Sequence, residues 1–129
     1  MDFKEPRIQI VAMPRHDNAY GDISTGYILE HFDLACGIAV KEHTGCQSIT
    51  VAINKVVFKK PILKGDLLIF YASIMNFGKS SINLKAKLDL KRLEKTGIKL
   101  YSNVASAEAT FISIDEKGHK IYFNHSKNQ

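Results

Sequence analysis

The stretch DNAYGDISTGYILEHFDLACG, residues 17–37, decides the fold because it contains the start of a long apolar helix. We predict a helix from about Ser24 to His43, stopped by Thr44–Gly45. Its apolar residues fall on nearly every side, which is typical of a central helix rather than a surface helix. Asp33 nevertheless stands in its middle, and an ionised carboxylate in apolar surroundings is unfavourable unless it is paired or solvated.

Almost everything after the helix has the pattern of β-strand. Strands are predicted over residues 48–61, 67–77, 81–90 and 98–114, and a first strand over 6–14 precedes the helix. The order of one strand, one helix and four strands in an antiparallel meander predicts an α+β chain. A five-stranded antiparallel sheet wrapped around one long central helix is the hot-dog fold. One helix cannot cover every edge of such a sheet, so a second copy of the chain is the expected partner.

The composition is that of one ordinary globular domain. The 129 residues, of which 45% are hydrophobic and 24% charged, suffice for a single domain over residues 1–129. No run of about 18 apolar residues is present, so no membrane contact is expected. The N-terminus does not resemble a signal peptide. Cys36 and Cys46 form no CxxC pair, and we predict a cytoplasmic protein.

The charge is unevenly distributed along the chain. Residues 55–99 contain eleven Lys or Arg and three acids, whereas the remainder contains seven basic residues and ten acids. This asymmetry favours an anionic partner, and the alternative is a solvated lysine face. Nucleic acid is disfavoured because the outward face lacks interleaved aromatic residues for base stacking. The histidines have no metal-ligand spacing, so no metal site is predicted.

Two interpretations of Asp33 follow from the residues alone. It is either a surface carboxylate on a polar stripe with Glu30, or a general base or nucleophile in a pocket. The loop before the helix contains Asn18 and leads to Gly26 in the first turn. Free backbone N–H groups at such a helix start can hold an oxyanion, although most loops of this kind are merely turns.

Three separated blocks carry a resemblance to a known family. They are MPRHDNAYGDISTGYILEHFDLACG at 13–37, VFKKPILKGD at 57–66 and GKSSI at 78–82. In order and spacing they resemble the signature of hot-dog acyl-CoA thioesterases, in particular the bacterial YciA type. Several blocks in register are more specific than a single motif.

The resemblance implies hydrolysis of acyl-CoA to a free acid and CoA, with no metal and no cofactor besides the CoA of the substrate. It implies that Asp33 is the catalytic carboxylate and that Asn18 is the loop asparagine of the site. The site would form between two hot-dog units, where N–H groups near Thr25 and Gly26 of the partner chain stabilise the oxyanion. The implied assembly is a dimer at least, and a trimer of dimers.

The basic segment then acquires a specific role. Lys59, Lys60, Lys79 and the Ser80–Ser81 hairpin are candidates to hold the phosphates of CoA. One departure from the family is Thr25, which stands where the family has glycine. This departure supports an alternative, a non-catalytic hot-dog protein that binds acyl-CoA or CoA.

Overall fold

The computed structural model describes residues 3, 5–13 and 22–123 of the chain. Within these ranges it contains one helix and five strands, which confirms the predicted α+β class. In chain order they are β1 (Ile8–Val11), α1 (Thr25–Thr44), β2 (Gln47–Phe58), β3 (Leu67–Phe77), β4 (Ser81–Glu94) and β5 (Gly97–Ile114).

Both ends of α1 are fixed by local sequence, one residue later than predicted. Ser24 is extended and its hydroxyl accepts a hydrogen bond from the N–H of Tyr27 at 3.3 Å, which makes it the N-cap. Gly45 adopts a φ of 71°, and its N–H donates to the carbonyl of Lys41 at 2.8 Å. This left-handed conformation favours glycine and ends the helix.

The sheet is antiparallel throughout, in the strand order β1-β3-β4-β5-β2. The predicted meander is correct for β3, β4 and β5 and wrong for β2, which pairs with β5 instead of β3. Gln47 lies opposite Ile114 and Phe58 opposite Ala105. The apolar pattern of β2 predicts a strand, but it contains no information about which strand is its neighbour.

The core lies between one face of α1 and the concave face of the sheet. The apolar residues that alternate along β4 are all buried: Ile82, Leu84, Ala86, Leu88 and Leu90. The buried helix residues recur every three or four positions on one side: Ile28, Phe32, Ala35, Cys36, Ala39 and Val40. On the other side Leu34 is 48% exposed, so burial of the helix on nearly all sides is wrong for the single chain.

The outer edge of β2 has no neighbouring strand among the described residues. It also carries exposed apolar side chains, and Ile49 and Val51 are 48% and 58% exposed. Register shifts interrupt β2 between Thr50 and Ala52 and again between Asn54 and Val57. We call this strand side the open edge of β2, because its backbone groups are available to pair with another chain.

Candidate active site

The start of α1 presents unpaired backbone donors. Ser24 caps only the N–H of Tyr27, and among the described residues no acceptor lies within hydrogen-bonding distance of the N–H groups of Thr25 or Gly26. Both residues are exposed, and a Cβ at Gly26 would meet nothing within 4 Å. A helix start with free N–H groups attracts negative charge, including a developing oxyanion.

Asp33 lies two turns further along α1, on the flank that faces β2. It is half-buried, and its Oδ1 accepts a hydrogen bond from the hydroxyl of Thr50. It lines a groove of about 300 Å³ between α1 and the start of β2, together with Leu34, Gly37 and Phe111. The carboxylate therefore points out of the core. This position explains how an apolar helix accommodates a charge in its middle.

The neighbouring thiol is unsuited to be the nucleophile. Cys36 is buried one turn beyond Asp33. Burial, with a smaller contribution from the negative charge of Asp33, raises the pKa of this thiol to about 12. At neutral pH the thiol is protonated, and only the thiolate is an effective nucleophile. Asp33 is thus the group of this pair that remains available for chemistry.

Two of the predicted lysines lie beside the helix start. Lys59 and Lys60 follow β2 and line a cleft of about 320 Å³ with Thr25 and Asp22. The N–H of Lys59 donates to the carbonyl of Val104 at 2.8 Å, which anchors this segment to β5. The structure therefore brings Thr25, Lys59 and Lys60 together, as one site requires.

The other predicted phosphate ligands lie elsewhere in the chain. Lys79, Ser80 and Ser81 form the β3–β4 hairpin, in which the N–H of Gly78 donates to the carbonyl of Ser81 at 2.8 Å. A Cβ at Gly78 would stand 2.4 Å from the Ser81 hydroxyl oxygen, so any larger residue there would require the Ser81 side chain to move.

The distance between the Lys59–Lys60 segment and the β3–β4 hairpin follows from the register of β5. Ser81 lies opposite Ile112 of β5, whereas Lys59 bonds to Val104, roughly 26 Å further along that strand. A single chain therefore does not unite the five predicted ligands. Asn18 lies outside the described residues.

Two contacts near the site were not predicted from the sequence. Thr50 holds Asp33, while Arg92 and Asp66 form an ion pair beside the lysine segment. Thr50 is an ordinary residue for a strand, and nothing in its neighbourhood marks it. The Gly-Asp turn that contains Asp66 is part of a quoted block, but its partner stands 26 residues away.

The described ranges contain neither a metal-binding cluster nor a membrane-spanning helix. No group of three or more His, Cys, Asp or Glu side chains is close enough there to hold a metal ion. No helix in those ranges is long and apolar enough to cross a membrane.

Comparison with known proteins gives the family. Residues 20–92 match the thioesterase superfamily. A Haemophilus influenzae protein named as an uncharacterized acyl-CoA thioester hydrolase is 32% identical over 122 residues, covering 95% of this chain and 79% of its own. The acyl-CoA thioester hydrolase YciA of Escherichia coli K12 is 25% identical over 111 residues, covering 86% of this chain and 84% of its own.

A solved structure agrees with the sequence comparison. The hexameric hotdog fold thioesterase of Campylobacter jejuni is 35% identical, with a TM-score of 0.90 over 98% of this chain and 95% of that one. The predicted hot-dog fold and the resemblance to YciA-type thioesterases are thereby confirmed. By its family match and by these relatives, the chain belongs to the thioesterase superfamily.

Proposed function

We propose that the protein hydrolyses acyl-CoA thioesters, releasing a free carboxylic acid and CoA. The observation that carries the proposal is the carboxylate of Asp33, which is held by Thr50 and opens on a groove in a chain of this family. The relatives named as acyl-CoA thioester hydrolases support the same substrate class.

The chemistry is acyl transfer to water. Asp33 takes a proton from a water molecule that attacks the thioester carbonyl carbon, or itself attacks that carbon to form an anhydride that water then opens. N–H groups of Thr25 and Gly26 stabilise the negative charge on the carbonyl oxygen, and Asn18 orients the water or the carbonyl. The C–S bond breaks and the CoA thiolate departs.

The helix geometry supports a site made by two chains. Thr25 and Asp33 are eight residues apart on α1, which is about 12 Å of helix. The carbon and oxygen of one carbonyl are directly bonded, so the groups that act on them must lie within a few ångströms of each other. We therefore assign Asp33 to one protomer, and Thr25, Gly26 and Asn18 to its partner.

The open edge of β2 supports the assembly that this site requires. Ile49 and Val51 lie on that edge, and Leu34 of α1 is exposed beside the groove of Asp33. We propose a dimer, and a trimer of dimers by similarity to the hexameric relative. Sedimentation velocity checks this, and a stable monomer with full hydrolytic activity would refute the shared site.

A panel of acyl-CoAs of increasing chain length tests the function directly. The expected result is release of CoA thiol and free acid in equal amounts from at least one of them. Tight binding of acyl-CoA without any release would support the non-catalytic alternative and overturn the proposal.

The lysines are proposed to bind the CoA phosphates. Replacing Lys60 by Gln is expected to raise the KM for acyl-CoA roughly tenfold, as for loss of a hydrogen bond to a charged group, with little change in kcat. It should also weaken the salt dependence of KM, because phosphate attraction is screened by salt.

Matched measurements isolate the phosphate contribution. An acyl-pantetheine thioester, which lacks all the phosphates, should show the same KM with wild type and Lys60→Gln. Lys91→Gln removes an equal charge from the exposed sheet surface and is the control variant. If Lys60→Gln leaves the KM for acyl-CoA unaltered, Lys60 is only solvated surface.

A further inference from the structure

An ion pair ties the end of β4 to the turn before β3. Arg92 donates from Nε to Oδ1 of Asp66 at 2.9 Å and from Nη2 to Oδ2 at 2.8 Å. The side chain of Asp66 is only 2% exposed and that of Arg92 is 19% exposed. This two-point contact with a carboxylate fixes the plane of the guanidinium, which a lysine ammonium cannot do.

The same pair holds the segment that follows the lysines. Nη2 of Arg92 also donates to the carbonyl of Pro61 at 3.1 Å. Oδ2 of Asp66 accepts from the N–H of Leu63 at 2.9 Å. Residues 61–63 are therefore held by hydrogen bonds with both partners of the ion pair, Arg92 and Asp66. We call this arrangement the Arg92 clamp.

The clamped segment in turn supports the start of α1. The N–H of Ile23 donates to the carbonyl of Ile62 at 2.8 Å, and Asp22 forms an antiparallel bridge with Leu63. Asp22 and Ile23 immediately precede the N-cap Ser24. A short chain of contacts thus runs from the guanidinium to the first turn of the helix.

A second branch of contacts runs from Arg92 toward Lys60. The guanidinium of Arg92 and Nζ of Lys60 both lie over the ring of Tyr101, at 5.5 and 4.4 Å from its centroid. The hydroxyl of Tyr101 donates to Glu94, which fixes the ring. The placement of Lys60 is therefore linked to the same residue as the placement of the helix start.

We infer that Arg92 is a positioning residue, which sets where the N–H groups of Thr25 and Gly26 stand relative to the thioester. This inference rests on the proposed function. Nε and Nη2 of the guanidinium are bonded to Asp66 and Pro61, and we assign Arg92 to act through the clamp and not on the substrate itself. Small displacements of groups that act on a transition state lower rates strongly, and the clamp opposes such displacements at the helix start.

Arg92→Lys is the informative change because it keeps the charge and loses the two-point contact. We expect kcat for acyl-CoA to fall about tenfold, measured well below the thermal midpoint of the variant. Amide hydrogen exchange at Ile23, whose N–H is bonded to Ile62, should be at least tenfold faster, with exchange in the centre of β4 unchanged. Arg7→Lys, which alters the ion pair with Glu42 near the other end of α1, is the matched control and should change neither.

A double-mutant cycle separates positioning from general destabilisation. Thr25→Pro removes one of the N–H groups through which Arg92 is proposed to act. In that background Arg92→Lys should lower kcat by much less than tenfold, because interacting residues are not additive. Full additivity would overturn the inference, as would a lower thermal midpoint with kcat and exchange at the helix start unchanged.

A second variant guards against failure of Arg92→Lys to fold. Asp66→Asn keeps an oxygen for the N–H of Leu63 but weakens the contact with Arg92, and it should reproduce the faster exchange at Ile23. Amide hydrogen exchange does not depend on whether the protein hydrolyses acyl-CoA. If wild type cleaves no acyl-CoA, the proposed function fails, and the exchange data alone still decide whether Arg92 positions the helix start.

Discussion

Asp33→Asn is expected to lower kcat by about 10²–10⁴-fold, the usual range for loss of a general base. The amide keeps the volume and still accepts a hydrogen bond from Thr50, but it can neither take a proton from water nor attack as a carboxylate. The thermal midpoint should change little or rise, because a partly buried charge is removed. Both quantities are measured on the same preparation.

Two companion variants make this result specific to Asp33. Glu30→Gln removes an exposed carboxylate three residues earlier on the helix and should leave kcat unaltered. Thr50→Val deletes the hydroxyl that holds Asp33. If Asp33 were only an anchor for β2, then Thr50→Val would lower the thermal midpoint and both variants would spare kcat. Near-wild-type kcat in folded Asp33→Asn would end the catalytic assignment and make Asp22 the next carboxylate to test.

Thr25→Pro is expected to lower kcat by about 10²–10³-fold, the effect of removing one oxyanion donor. Proline has no N–H, yet it is favoured in the first position of a helix. Ser24 already has the extended backbone, with ψ of 145°, that a residue before proline prefers. The helix should therefore persist, and circular dichroism and the thermal midpoint should stay close to wild type.

Thr25→Ala provides the matched control for this prediction, because it keeps the N–H and removes only the side chain. It should retain kcat, or raise it if the threonine side chain narrows the carbonyl site. Equal activity of the proline and alanine variants would exclude the Thr25 N–H as a donor and leave that role to Gly26.

The sequence was most informative where structure is local. The ends of α1 depend on Ser24 and Gly45, which act within one turn of the helix. The inward residues of β4 follow from an alternation that is visible in ten consecutive letters. The neighbour of β2 was mispredicted because the choice between β3 and β5 depends on contacts between residues 47 to 67 positions apart.

The site was predictable in its residue types and less so in its arrangement. Asp33 stood out because a carboxylate interrupts an apolar helix, whereas Thr50 and Arg92 act through contacts that no short pattern encodes. The separation of Lys79 from Lys60 follows from the register of β5, which the sequence does not specify.

The strand order also has a consequence for how the chain folds during its synthesis on the ribosome. β2 ends at Phe58, but its neighbour β5 is the last of the five described strands and ends at Ile114. Translation adds roughly 5–20 residues per second, so several seconds pass between the synthesis of β2 and that of its native neighbour β5. The nascent chain therefore carries an apolar strand with both edges unpaired until β5 has been made, and this sheet can close only after β5 has emerged.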